Sequence, residues 1–123
     1  MLLFFNYNYK KFMKPIVEYT DFDKLDLRVG KVLETLEPEW SNKLIEMKVD
    51  FGQEIGQRRI FAGIRKFVNC TDLINKKFVF VINLAERKLG EGTSQGMMLV
   101  ASDDTNHFPL RVDDVISEGA LVR

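Results

Sequence analysis

Hydrophobic and polar residues alternate with period two over several short stretches of this chain. No stretch carries the three-to-four spacing of a long amphipathic helix. Leu25, Leu27 and Val29 alternate with Asp26, Arg28 and Gly30, after which the parity slips and Val32 and Leu36 take the inward side. A glycine at a parity change predicts a bulge or sharp bend in the strand. The second strand is cleaner, with Ile45, Met47, Val49 and Phe51 facing one way and Glu46, Lys48 and Asp50 the other. Gly52 to Gly56 reads as its turn and Arg58 to Ala62 as a third strand. Cys70 to Leu73 predicts a turn or short helix capped by Thr71, and the near-continuous apolar run Lys76 to Leu84 predicts the most buried strand. A polar loop from Ala85 to Gln95 leads to a strand from Met97 to Ala101. A turn at 103–106 precedes a last hairpin of Phe108–Val112 with Ala120–Val122. Ahead of the first strand, Thr20 to Leu25 predicts one helical turn. Thr20 or Asp21 supplies its cap oxygen, and Phe22 and Leu25 form a short hydrophobic face.

Five short strands with a short helix between the third and fourth is the order of an OB-fold, a small all-β barrel. Its second and third strands, with the loops between strands 1 and 2 (L12) and 4 and 5 (L45), bind oligonucleotides or oligosaccharides. Another small β-barrel is the alternative on pattern alone. The 123 residues, 46% of them hydrophobic, suffice for one domain with its own core. That apolar fraction also excludes a classically disordered chain.

A single cysteine, Cys70, and a single histidine, His107, exclude an intrachain disulfide and a Cys/His zinc site. One cysteine also suits a reducing cytoplasm. Cys70 reads as a structural thiol, since no signature marks it as the partner of His107 in a nucleophile pair. The longest apolar run, Phe78 to Leu84, is broken by Asn83 and is far too short to span a bilayer. Carboxylates are scattered and no glycine-rich phosphate loop follows a strand, so neither an enzyme nor a cofactor nor a small-molecule substrate is expected. Residues 1–13 are aromatic and match no later pattern. They read as an N-terminal extension, either non-native (an upstream start) or disordered, with an arm laid on a partner as the alternative; residues 14–123 form the domain.

Charge adds what the pattern does not. Eighteen basic and eighteen acidic side chains cancel over the whole chain. Residues 58–88 nevertheless hold eight basic side chains against Asp72 and Glu86, a net +6, leaving −6 for the rest. In an OB-type barrel this window spans strand 3 to the start of L45, parts of the binding side. A basic dipeptide alone is ordinary solvated surface; four in one window point to a polyanion.

Four segments then match one family in order. They are Asp21-Phe22-Asp23-Lys24-Leu25-Asp26-Leu27-Arg28-Val29-Gly30-Lys31-Val32; Lys43-Leu44 through Val49-Asp50-Phe51-Gly52; Ala62-Gly63-Ile64-Arg65-Lys66-Phe67; and Asn83-Leu84-Ala85-Glu86-Arg87-Lys88-Leu89 leading into Ser94-Gln95-Gly96-Met97-Met98-Leu99. From about Tyr19 to Arg123 the chain resembles the tRNA-binding domain of methionyl-tRNA synthetases, free-standing tRNA-binding proteins and synthetase-associated cytokines. The resemblance implies a five-stranded OB-fold with a C-terminal β extension, a homodimer formed partly through that extension, and non-catalytic, structure-directed binding of tRNA. The implied roles are a detached synthetase-type subunit or a free-standing factor. A protein-export-type chaperone of the same fold and a scaffold module for a synthetase are the alternatives.

The residue types fit RNA. Lys43, Arg65, Lys66, Arg87 and Lys88 can pair with phosphates. Asn83 and Ser94 can bond base edges or a 2′-hydroxyl, and Gly96 permits close backbone approach. Met97 either packs on an unstacked base or fills the core. Two stretches depart from the family. His-Pro-x-Ala-Asp-Lys-Leu is here Glu37-Pro38-Glu39-Trp40-Ser41-Asn42-Lys43-Leu44, with Trp40 a stacking surface or a cover for the barrel mouth. In L45 an acid, Glu91, stands where the family has glycine.

Overall fold

A computed structural model describes residues 12–123 of the chain. The N-terminal extension lies outside the described residues except for Phe12 and Met13, which are exposed and carry no secondary structure. A single helical turn, α1 (Tyr19–Phe22), leads into the long strand β1 (Leu27–Leu36). The first half of β1 pairs antiparallel with β4 (Lys77–Val81), from Leu27↔Val81 to Lys31↔Lys77. Its second half pairs with β2 (Ile45–Asp50), which pairs in turn with β3 (Gln57–Ala62). Strand β7 (Met97–Met98) lies on the other edge of β4, with Phe80 opposite Met98. The circuit closes where the Gln95 N–H donates to the Arg59 carbonyl at 2.8 Å. The order β1-β2-β3-β7-β4 is an OB-type barrel, with β7 as its fifth strand.

Strand β4 reads as one apolar run because both of its faces are covered. Phe78 and Phe80 join Ile45, Met47, Phe51, Ile60 and Met98 inside the barrel, where Phe51 and Phe80 meet edge to face at 5.3 Å. Val79 and Val81 form a second cluster with Leu27, sealed by Leu99, Val112 and Val122 from the C-terminal segment. The C-terminal β extension is therefore a lid on the outside of β4.

The predicted parity change at Gly30 is a change of covered face and not a bulge: pairing with β4 runs unbroken from Leu27 to Lys31, Leu27 packs in the outer cluster, and Gly30 and Val32 face the barrel interior. Val29 and Gly30 are both buried, and a Cβ on Gly30 would stand 2.5 Å from Val49 Cγ1 and 2.6 Å from Phe51 Cε1. Those neighbours are fully buried and have nowhere to go. Gly30→Ala is accordingly expected to cost about 1–3 kcal/mol by overpacking, read as a lower urea midpoint with an unchanged slope.

Several expectations need correction. The register shifts between Val32 and Glu34 and not at Gly30, so Thr35 takes the inward place and Leu36 is exposed. Asn69, not Thr71, caps the 3-10 turn Cys70–Leu73; its Oδ1 accepts from the Thr71 N–H at 3.2 Å. Glu18 is the N-cap of α1, with its N–H donating to the Asp21 carboxylate at 3.3 Å, and Phe22 and Leu25 remain partly exposed. The supposed loop 85–95 holds a small hairpin, β5 (Arg87–Leu89) with β6 (Gly92–Ser94), which three-residue strands with charged side chains do not announce.

The strand read as 97–101 is divided, because Leu99 bonds both ways: its N–H donates to Val79 and its carbonyl accepts from Leu110. Beyond it, β8 (Val100–Ser102) pairs with β9 (His107–Pro109). The last hairpin does not form. Instead β10 (Arg111–Val112) joins β4 and β11 (Leu121–Val122) joins β1, since each finds an open barrel edge there.

Candidate nucleic-acid interface

The L12 and L45 loops meet over Trp40. Its ring lies 5.8 Å from that of Phe61 on β3, and a Cβ on Gly90, at the hairpin tip, would stand 2.5 Å from Trp40 Cζ3. Gly90 also sits at φ +56°, so the tip needs glycine for its backbone as well as for its neighbour. Trp40 thus clasps the hairpin against the outer face of β3 and does not cover the barrel mouth, with its ring engaged on protein. Trp40→Ala should free the hairpin tip, visible as faster amide exchange across 87–94 with the barrel amides unchanged.

Two basic residues hold this arrangement from inside. The Arg65 guanidinium donates to the Pro38 carbonyl at 3.1 Å and to the Ser41 carbonyl, and pairs with Glu37 at 3.5 Å. Glu37, which replaces the family's histidine, thereby helps tie L12 to the segment after β3. Arg58 donates to the carbonyls of Ile82 and Gln95, at 2.5 and 3.3 Å, joining β3 to the far side of the barrel.

The remaining predicted residues sort by whether their polar atoms are spent. Ser94 is buried; its Oγ accepts from the Phe61 N–H at 3.0 Å and donates to the Gly96 carbonyl at 2.9 Å. Gln95, which the sequence reading passed over, does the same work one residue on, its Oε1 accepting from the Arg59 N–H at 2.9 Å. A Cβ on Gly96 would meet Ile60 Cδ1 at 3.0 Å and the Val81 carbonyl at 3.1 Å. The Ser94-Gln95-Gly96-Met97 element is therefore the seam that closes the barrel and seats the β5–β6 hairpin. Asn83 ties strand ends together, accepting from the Asp26 N–H at 2.8 Å and donating to the Lys24 carbonyl at 2.7 Å. Met98 fills the core, while Met97 is 46% exposed.

Lys43, Lys66, Arg87 and Lys88 are exposed, and among the described residues their side chains make no hydrogen bond or ion pair. They border the Trp40 clasp. Arg87 and Lys88 stand on the hairpin whose tip rests on Trp40, and Lys43 follows Trp40 by three residues. The Lys43 carbonyl accepts from the Arg65 N–H at 3.2 Å, which brings Lys66 to the same edge.

Beside them lies a cleft of about 900 Å³ between the hairpin and β1–β3. Its cations are partnered: Lys48 with Glu34 at 3.5 Å, Arg59 with Glu46 at 3.1 Å, and Arg58 with carbonyls. Four exposed cations without a side-chain partner among the described residues, Lys43, Lys66, Arg87 and Lys88, sit instead on the rim of the loops. His107 is 4.3 Å from Phe67 and bonds Ser102, and Cys70 packs against the core. Among the described residues no cluster of three or more His, Cys, Asp or Glu could hold a metal, and no helix is long and apolar enough to cross a membrane.

Comparison with known proteins follows this geometry. Residues 27–121 match the tRNA binding domain family. The chain is 42% identical over 113 residues to a methionine–tRNA ligase of Clostridium acetobutylicum, covering 90% of this chain and 17% of that protein. To the corresponding enzyme of Chromobacterium violaceum it is 46% identical over 110 residues, covering 86% and 16%. It thus spans about a sixth of the length of these relatives.

Among solved structures, the fold matches a MetRS-related protein of Pyrococcus horikoshii (TM-score 0.84, 32% identity, 89% of this chain and all of that one). It also matches the chaperone CsaA of Bacillus anthracis (TM-score 0.80, 26% identity, again 89% and 100%). The part of the ligases that it matches is a binding module and not a catalytic domain. By sequence and by fold, this chain belongs to the tRNA-binding domain family.

Proposed function

We propose that this chain binds tRNA without catalysis, through the rim of the L12 and L45 loops, either as a detached subunit serving a methionyl-tRNA synthetase or as a free-standing tRNA-binding factor. The observation that carries the reading is the set of unpartnered cations Lys43, Lys66, Arg87 and Lys88 around one loop clasp, while the cations of the cleft and the barrel seam are already engaged. Free ammonium and guanidinium groups on rigid supports release counterions when they meet phosphates and lose no internal partner in doing so. Arg65, Asn83, Ser94 and Gly96 serve this site as positioning residues, by holding the loops that carry the cations. Met97, half exposed beside the seam, is free to pack on a base.

The working form is a cytoplasmic homodimer. Support comes from apolar side chains left uncovered at both ends of the described chain: Ile16, Val17 and Tyr19 before the barrel, and Val115 and Leu121 after it. A filter-binding titration of tRNA across salt tests the central claim. Four phosphate contacts predict that log affinity falls with log salt at a slope of roughly −3 to −4. Affinity independent of salt would overturn it. The likeness to CsaA keeps a chaperone reading in view. That reading predicts suppression of client aggregation that survives loss of Arg87 and Lys88.

A further inference from the structure

Two aromatic pairs stand outside both buried clusters and outside the loop clasp: Tyr19 with Phe22 on α1, and Phe67 with His107. Phe67 keeps 39% of its surface exposed, and the His107 ring lies 4.3 Å from it at a tilt of 52°. Both rings are held from behind. The N–H groups of Phe67 and Val68 donate to the Ile64 carbonyl at 2.9 and 3.1 Å, and Ile64 is a buried core residue against which Val68 also packs. His107 is fixed by β8 pairing and by Ser102 Oγ, 2.6 Å from its Nδ1. Lys66, exposed and without a side-chain partner among the described residues, immediately precedes Phe67.

A rigid, half-open ring beside a free ammonium is the pairing that a nucleotide uses, with its base on the ring and its phosphate on the cation. The hairpin that carries His107 also bears Asp103 and Asp104. Their charges disfavour a run of phosphates there, so a single splayed nucleotide fits better than a helical backbone. We propose that the Phe67–His107 pair is a stacking platform for one unpaired nucleotide of the bound RNA, with Lys66 on its phosphate. This extends the interface beyond the loop clasp, along the edge where the Arg65 N–H bonds the Lys43 carbonyl. It rests on the RNA-binding reading above.

The test compares tRNA affinity and its salt slope for the full chain with those of Phe67→Leu, Phe67→Trp, Lys66→Ala and the double variant Arg87→Ala/Lys88→Ala. Ultraviolet crosslinking of the same complex, with the modified peptide identified by mass, accompanies it. The platform predicts that Phe67→Leu weakens binding on the order of tenfold with the salt slope unchanged, because no charge is lost. It predicts that Phe67→Trp binds within about twofold of the parent, since a larger ring still stacks. Lys66→Ala should flatten the slope by about one phosphate contact. The crosslink should fall on Phe67 or His107.

Parental affinity in a folded Phe67→Leu protein overturns the platform, as does loss of binding in a folded Phe67→Trp protein. If Phe67→Leu does not fold, the Trp variant and the crosslink decide alone. An effect of Phe67→Leu on sedimentation but not on RNA makes the pair a protein contact and likewise overturns it. The RNA reading itself falls if affinity is independent of salt or if the Arg87/Lys88 double variant also binds as the parent does, so the two failures are distinguishable.

Discussion

Changing Arg87 and Lys88 together to alanine is expected to weaken tRNA binding on the order of tenfold near physiological salt and to flatten the salt dependence by about two phosphate contacts. Both side chains are exposed on β5 and hold no partner among the described residues, so their removal strands no buried acceptor. The hairpin does not depend on them. Its backbone pairs (Arg87↔Ser94, Lys88↔Thr93) and the Trp40–Gly90 contact stay in place, and the melting temperature should hold within a degree or two. Arg58→Ala supplies the contrast. It removes a cation of the same window but leaves the carbonyls of Ile82 and Gln95 without their donor, so its cost falls on stability. Filter binding at several salt concentrations, beside thermal melts of the same samples, separates the two kinds of arginine.

Lys77→Met should damage the fold heavily for a change that keeps side-chain volume, at about 3 kcal/mol and a drop of roughly 10 °C or more in melting temperature. Lys77 is buried on β4 and its ammonium donates to the carbonyls of Asp114 and Ile116 at 2.8 and 2.5 Å, with Glu118 at 3.5 Å. Methionine fills the same space yet supplies none of these bonds. The segment so anchored precedes β11, whose Val122 helps seal the second core cluster. The damage should spread from 114–118 to that seal, and amide exchange should report it there first.

The same anchor makes stability depend on acid. The backbone N–H of Glu118 holds its carboxyl below the ordinary value of 4.5; partial burial opposes this, and the Lys77 charge adds to the lowering. A carboxyl whose folded value is depressed contributes stability above its unfolded value and loses that contribution as pH falls through the folded one. The stability difference between the parent and Glu118→Gln should therefore be full near pH 7 and shrink below about pH 4.5. Urea denaturation across that range measures it.

The barrel strands were legible because their residues obey a local rule. Ile45, Met47, Val49 and Phe51 alternate with polar neighbours along β2, and Gly30 marks where β1 turns from an outer to an inner covered face, since a side chain there would strike Val49 and Phe51. The C-terminal pairings were not legible. Two-residue strands such as β10 and β11 have no period of their own and form only because β4 and β1 offer open edges. In the same way, Leu36 obeys the alternation in sequence and still points to solvent, since a register shift between Val32 and Glu34 lies in the pairing with β2.

For the site, the sequence by itself determined which residue types were available: a basic window in a neutral chain, the Ser94-Gln95-Gly96-Met97 element, and a tryptophan, Trp40, ahead of the second strand. It could not say which cations were free. Tertiary structure decided that Arg58, Arg65 and Lys77 are internal props and that Lys43, Lys66, Arg87 and Lys88 face outward, unpaired among the described residues. The physical reason is that a positive charge next to a backbone carbonyl and one next to solvent are written with the same letter. Only the folded path of the chain brings the carbonyls of Pro38, Ile82 and Asp114 within reach of some of them and leaves the others facing solvent.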